Sequence, residues 1–540
     1  MRAFAHLLDR LALTASRNAK LTLVRDFLRE QPDPDRGWAL AALTGELTFS
    51  AAKPAAIRKA VEARMDPVLF GWSYDYVGDL AETVALVWPA APGANREPDL
   101  SEVIEALRTA RRGEVQPLIE RWLDALEPAG RWALLKLLTG GLRVGLSARL
   151  AKQALSNLSA LHGQTIPVAE IEEVWHALAP PYDDLFPWLE GRAPAPSADA
   201  PGRFRAVMLA QAIDEAVDFA RLDPADYAAE WKWDGIRVQA VSERGVRRLY
   251  SRTGDDISHT FPDVLAHMSF EGTIDGELLV IRDGGRLASF GDLQQRLNRK
   301  SVDARLMAAH PAAIRAYDLL VDGGEDLRAL PFIERRRRLE RFVADAASPR
   351  IDLSPLQPFE DWAELAALRA APPQGDPALS EGLMLKRWDS PYEAGRPKGP
   401  WFKWKRDPHL IDAVLMYAQR GHGKRSSFYS DYTFGVWREE ADGGRALTPV
   451  GKAYFGFTDE ELKQIDKFVR DHTTDRFGPV RSVRATPEFG LVLEVAFEGL
   501  QRSTRHKSGV AMRFPRIHRI RWDKPPREAD ELATLERMLD

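Results

Sequence analysis

Residues 230–239, EWKWDGIRVQ, set Lys232 between Trp231 and Trp233 and one residue ahead of Asp234-Gly235. In a strand the two tryptophans share one face and Lys232 takes the other. Beyond the turn the apolar set is Ile236, Val238 and Ala240, in the opposite phase, so the chain breaks register at Asp234-Gly235, where glycine relieves the turn sterically. Lys232 then stands just before a bend and aims into the cavity that the bend borders. A lysine that snorkels to solvent gives the same local pattern. The chemistry open to a shielded amine is nucleophilic. Free lysine titrates near ~10.4, and bringing it to about 7.5 takes roughly 4 kcal/mol of bias against the charged form. Tryptophan neighbours and nearby cations push in that direction. A second run, WFKWKRD (401–407), places Phe402 and Trp404 on one strand face and Lys403 and Lys405 on the other.

The elements that must carry these residues follow from hydrophobic spacing. Up to about residue 190 the period is helical, as in FAHLLDRLALT, EVIEALRTARR, PLIERWLDAL and RWALLKLLTGGL. EGRAPAPSADAPGR (190–203) reads as a linker. After it the period becomes two, in GIRVQAV, GTIDGELLVI, AIRAYDLLV and GLMLKRW, with short helical pieces such as FGDLQQRLNRK and PFIERRRRLERFV between. From about 406 the chain is strand-rich with one helix, TDEELKQIDKFVRDH, whose Thr458 and Glu461 form a capping box. Short strands plus one helix predict a small β-barrel.

A chain of 540 residues predicts several domains. With 45% hydrophobic and 29% charged residues it is an ordinary globular sequence, and zero cysteines exclude a disulfide framework or thiolate-bound zinc. Asp9 and Arg10 interrupt the N-terminal apolar run and nothing approaches a membrane span, which predicts a cytoplasmic protein without a membrane partner. No G-x-x-x-x-G-K-[ST] phosphate loop occurs. The net charge of −4 argues mildly against wholesale nucleic-acid affinity. Basic residues nevertheless concentrate near the end: Arg502, Arg505, Lys507, Arg513, Arg516, Arg519, Arg521 and Lys524 face the single acid Asp523. That run is either a phosphate-tracking surface or a basic face balanced by the tail READELATLERMLD. In ERRRRLE (334–340), Glu334 is spaced to pair with Arg338, which predicts a solvated helix face.

EWKWDGIR resembles the nucleotide-binding motif of the covalent nucleotidyltransferases, the superfamily of DNA ligases, RNA ligases and mRNA capping enzymes. The other motifs of that superfamily follow in order: YSRTGDD with Arg252, IDGELLV with Glu277, RAYDLLVDG with Tyr317, and EGLMLKRWDSPYEAGRPKGPWFKWKRDP with Glu381, Arg396, Lys403 and Lys405. GVAMRFPRIHRIRWDKPP looks like the C-terminal motif of ATP-dependent DNA ligases, and LLTGGLRVGLSARLAKQAL is similar to part of their helical DNA-binding domain. The resemblance spans about residues 205–525 and, with that N-terminal stretch, nearly the whole chain.

The resemblance implies a multidomain, three-domain bacterial type of DNA ligase. Residues 1–190 would be an all-α DNA-binding domain, 191–204 a linker, 205–405 an α+β adenylation (nucleotidyltransferase) domain and 406–540 an all-β OB-fold domain. It implies that Lys232 attacks the α-phosphate of ATP, that AMP passes to the 5′-phosphate of nicked duplex DNA, and that the 3′-hydroxyl displaces it. Glu230 would meet the adenine edge and Tyr317, where the family often has Phe, would stack on the base. Arg237 and Arg252 would reach ribose and phosphates, with Arg396, Lys403 and Lys405 over the phosphates. Glu277 and Glu381 would hold Mg²⁺ (or Mn²⁺) or the ribose. Arg513 and Arg516, in the last motif, would orient pyrophosphate. Gly141 and Gly145 would let the backbone near Arg143 approach the minor groove, with Arg143 and Arg149 on phosphates. A helix-ending role fits each glycine equally. The implied protein is a monomer that encircles DNA and serves repair or recombination. An RNA ligase or capping-type nucleotidyltransferase shares the lysine chemistry and is the alternative. The missing cysteine zinc module disfavours the NAD-dependent ligases.

Overall fold

The computed structural model describes the chain except residues 15, 48, 50–53, 78, 92, 94–95, 112, 198, 298, 300–301, 372–378, 421–428, 441–442, 455, 479, 504–505 and 540. Arg505 of the basic run therefore lies outside the described residues. The described chain forms two units. Met1–Ile171, Leu178–Pro196 and Pro408–Asp540 make one, and Glu172–Ala177 with Ser197–Asp407 the other. Among the described residues no helix is long and apolar enough to cross a membrane.

The N-terminal part is helical where the spacing predicts it, in Arg2–Leu13, Leu100–Thr109, Val115–Ala125 and Pro128–Thr139. Their three- and four-spaced apolar residues, among them Leu8, Leu11, Ile104, Ile119 and Leu134, are buried. The Pro128–Thr139 helix ends on Gly140, in the left-handed conformation, and not on Gly141. Gly145 (φ 65°) ends no helix either: a Cβ there would strike the Lys20 ammonium. Lys20 Nζ, buried, donates to the carbonyl oxygens of Val144 and Gly145 at 2.6 and 2.9 Å, so this glycine makes room for a cation that holds the loop.

In the other unit two sheets face each other. Its strands are β1 (Gln211–Ala212), β2 (Tyr227–Trp233), β3 (Ile236–Glu243), β4 (Val246–Ser251), β5 (Gly272–Arg282), β6 (Arg286–Leu287), β7 (Ala312–Asp322), β8 (Glu325–Asp326), β9 (Ile351–Leu353), β10 (Leu356–Gln357), β11 (Ser380–Arg387) and β12 (Trp401–Lys405). One sheet runs β1-β12-β11-β2-β10 and the other β4-β3-β5-β7-β8, with β6 on β5 and β9 on β7. The register break at Asp234-Gly235 is the passage from one sheet to the other. Trp231 and Trp233 join a core with Leu383, Leu385, Phe402 and Trp404, while Val238 and Ala240 join one with Ile274, Leu278 and Ile314. Alternation then sends Glu230, Lys232, Lys386, Lys403 and Lys405 of the first sheet, and Arg237, Asp275, Glu277, Arg315 and Tyr317 of the second, to the faces that do not carry these cores.

The C-terminal part has β13 (His409–Arg420), β14 (Tyr429–Glu439), β15 (Arg445–Ala453), β16 (Thr473–Phe477), β17 (Val480–Val483), β18 (Val492–Phe497), β19 (Gly499–Arg502), β20 (Val510–Arg513) and β21 (Arg516–Arg521). The long β13 pairs with β14 on one edge. On the other edge its first half pairs with β18 and its second with β17, so the sheet curls about one apolar interior. The helix Asp459–Asp471 opens with the expected Thr458/Glu461 capping box and sends Leu462, Ile465 and Val469 into that interior.

Candidate active site

The site grows from an irregularity in β11. Ser380 pairs with Trp233 and Leu383 with Trp231, so Glu381 and Gly382 together oppose the single residue Lys232. Such a bulge needs an unusual backbone, and Gly382 has φ 128°, where a Cβ would collide with the carbonyl oxygen of Trp404. The bulge turns the Glu381 carboxylate onto Lys232, whose Nζ donates to Oε2. Lys405 Nζ lies 3.4 Å from the same oxygen. Gly235 works by closeness and not by φ: any Cβ would strike the Leu278 carbonyl and the Glu277 side chain, so Gly235 lets the turn close against β5.

Cations crowd around this pair. Burial first, then the charges of Lys405, Lys232, Arg396 and Arg252, hold the Lys403 ammonium below its ordinary pKa. Those four neighbours are the ones the motifs named, so the structure gathers Lys232, Arg252, Arg396, Lys403 and Lys405 into one positive field. Arg252 and Arg396 are exposed, whereas Lys403 and Lys405 are half-buried. Glu277 lies on the opposing sheet. Burial pushes its carboxyl up to about 8, Lys232 and Arg237 oppose that, and Glu381 and Asp234 add to it. A carboxyl driven toward neutrality by burial and by two further carboxylates is one that an added cation would re-ionise, which suits a hard divalent ion. Among the described residues no three acidic or histidine side chains form a ready metal cluster.

Other expected residues are more committed. Arg237 binds Asp275 with two bonds, Nε–Oδ1 at 3.0 Å and Nη2–Oδ2 at 2.6 Å. It also donates to Met208 O at 2.7 Å and to Tyr392 Oη at 3.1 Å. Glu230 is 1% exposed, with Arg336 Nη1 on one oxygen and Lys386 Nζ on the other, each at 2.9 Å. Lys386 Nζ also lies 4.5 Å from the centroid of the Tyr317 ring, which is half-buried.

Two sequence expectations need correction. First, Trp231 and Trp233 do not surround the Lys232 amine. Strand alternation puts them in the core on the far face, and the amine meets Glu381 instead. Second, ERRRRLE is not simply a solvated face. On the helix Phe332–Ala346, Arg335 and Arg336 are buried, because Asp318 and Glu230 are there to take their charge. Glu334 pairs with Arg337, and Arg338 turns to Asp322 and Glu325. For the C-terminal basic run the sequence leaves a phosphate-tracking surface and balance by the tail both open, and several of its described partners lie elsewhere. Arg516 meets Glu498, Arg519 meets Glu494, Arg521 meets Asp523 and Asp412, and Lys524 meets Asp412, so the acids come from neighbouring strands and from Asp523 within the run. Arg513 lies 5.3 Å from the ring of Phe514, which is exposed at φ 52°. Arg143 and Arg149 are exposed, and Arg149 borders a surface hollow with Arg17, Gly145 and Ser147. Asp275, Tyr392, Arg336 and Lys386 were missed. Asp275 was findable, since it sits two residues before Glu277 and so shares its strand face.

Known proteins are similar to this chain. The family model for the ATP-dependent DNA ligase domain matches residues 207–405, and that for the ATP-dependent DNA ligase C-terminal region matches residues 425–524. The "Probable DNA ligase" of Koribacter versatilis (strain Ellin345) is 31% identical over 99% of this chain and 96% of its own. "DNA ligase 1" of Korarchaeum cryptofilum (strain OPF8) is 31% identical over 100% of this chain and 97% of its own. The solved structure of Pmar-Lig_PreS3 is 15% identical and shares the fold, with a TM-score of 0.59 over 96% of this chain and 99% of that one.

Proposed function

The chain belongs to the ATP-dependent DNA ligase family, and from that membership we propose that Lys232 is the residue that carries AMP while the chain seals 3′-hydroxyl/5′-phosphate nicks in duplex DNA. The observation that carries the reading is the Lys232–Glu381 contact inside a field of four further cations. Nζ attacks the α-phosphorus of ATP, a P–N bond forms and the bond to pyrophosphate breaks. The proton leaves Nζ for Glu381 Oε2, the acceptor in contact with it. AMP then passes to the 5′-phosphate of the nick, and the 3′-hydroxyl attacks that phosphate and expels AMP. Lys403, Lys405, Arg396 and Arg252 offset the charge that builds on the phosphates. Glu230 meets the adenine edge, Tyr317 stacks on the base, and Arg237, fixed by Asp275, lies beside the ribose. Glu277 and Glu381 fit Mg²⁺ or Mn²⁺, which would supply positive charge to the phosphate oxygens.

The helical part is proposed as the DNA-binding domain, with exposed Arg143 and Arg149 on backbone phosphates. Arg513 and Arg516 are proposed to orient pyrophosphate, and the monomer to close round duplex DNA in the cytoplasm during repair or recombination. Sealing of a nicked duplex with ATP, NAD and GTP supplied separately tests the function. Joining with ATP alone is expected. Joining with NAD alone, or sealing of nicked RNA but not nicked DNA, would refute it.

A further inference from the structure

We propose that Arg336 is a positioning residue for base selection, fixing the Glu230 carboxylate that reads the adenine edge. The inference rests on the assignment of Glu230 to that edge. Arg336 is 4% exposed and spans two carboxylates, with Nη1 on Glu230 Oε1 and Nε on Glu340 Oε1, both at 2.9 Å. The other Glu230 oxygen is held by Lys386 Nζ, which also donates to the Tyr317 carbonyl at 3.1 Å and sits against the Tyr317 ring. A continuous chain thus runs from Glu340 through Arg336, Glu230 and Lys386 to Tyr317. It ties the carboxylate for the base edge to the ring for the base face.

The chemistry of a carboxyl group makes Arg336 matter. An ionised carboxylate only accepts hydrogen bonds, so it takes an N–H of the adenine 6-amino group and repels a 6-carbonyl oxygen; a neutral carboxyl can donate and loses that distinction. Burial pushes the Glu230 carboxyl toward the neutral form, Asp318 adds to this, and Lys386 and Arg336 oppose it. The Asp318 charge is itself taken up by Arg335. The net push is toward the neutral form, so the Arg336 bond at 2.9 Å favours the accepting carboxylate against it and keeps that group from turning away. Its bonds go to Glu230 and Glu340, away from the Lys232 amine.

The test is the rate of nucleotide transfer to Lys232 in the full chain, with ATP and with purine riboside triphosphate, which lacks the 6-amino group. The wild type is expected to favour ATP by on the order of ten- to a hundredfold, the value of one hydrogen bond to a charged group. Arg336→Met should keep the wild-type rate with the analogue and fall to that rate with ATP. Arg336→Lys, which keeps the charge but not the forked reach to both carboxylates, should give an intermediate ratio. A wild-type ratio in either variant, or an equal fall with both nucleotides, overturns the role of Arg336. A wild type that uses the two nucleotides equally would instead remove the base-edge assignment of Glu230, and the inference with it.

Discussion

Glu381 touches the Lys232 amine because β11 spends two residues where β2 spends one. The extra residue is Gly382, and it reorients a carboxylate that regular pairing would place elsewhere. Glu381→Gln removes the carboxylate proposed both to accept the proton and to meet a metal, so lysyl-AMP formation should fall at least ~100-fold. Gly382→Ala, strained at φ 128° and blocked by Trp404, should lose the bulge and cost about 2–3 kcal/mol of stability together with most of the adenylation rate. Adenylate incorporation and denaturant unfolding measure the two effects. A Gly382→Ala protein that adenylates normally would show that the bulge does not place Glu381.

Asp318 and Arg335 form an ion pair at 0% exposure on both sides, with Nε–Oδ1 at 2.8 Å and Nη2–Oδ2 at 3.0 Å. Arg335→Met strands a buried carboxylate and should destabilise the unit by about 3–5 kcal/mol. Adding Asp318→Leu should restore most of that loss, since an apolar pair needs no charge compensation. Unfolding curves of the single and double variants decide this; a double variant as weak as the single one would show that the pair does more than neutralise itself.

In the helical part Asp79 accepts from Lys136 Nζ at 2.6 Å and caps the helix Leu80–Val87. Burial alone would raise its pKa, but the Lys136 hydrogen bond and the capping N–H groups outweigh that and hold it below its ordinary value. A depressed folded-state pKa gives stability that is present at neutral pH and is lost as pH falls below about 4 through the folded value. Lys136→Met should lower stability at neutral pH by about 1–3 kcal/mol and flatten this acid limb. Unfolding followed at neutral pH and near pH 4 reads both. An unchanged acid limb would mean that other carboxylates control it.

Strand alternation made Lys232, Lys403 and Lys405 legible as one facing set, and the ordered motifs named the charges around them. The bulge at Gly382 was hidden, because EGLMLKR reads as an unbroken strand and the glycine's clash partner, Trp404, comes from a different strand. Arg335 and Arg336 were misread for a different reason. Phe332, Arg335, Arg336 and Leu339 follow helical core spacing, so two arginines occupy positions that face inward. Their charge suggested solvent, and the carboxylates that admit them lie on strands far away in sequence. The partners of the basic run after Arg502 were hidden likewise, since apart from Asp523 its acids come from β13, β18 and the turn after β18.

Mass spectrometry of the protein after incubation with ATP and Mg²⁺ tests the nucleophile most directly. One adenylate should appear on the peptide that contains Lys232, released by acid as a P–N bond requires, and Lys232→Ala should carry none. An adenylate on another residue, or one that persists in Lys232→Ala, would contradict the assignment.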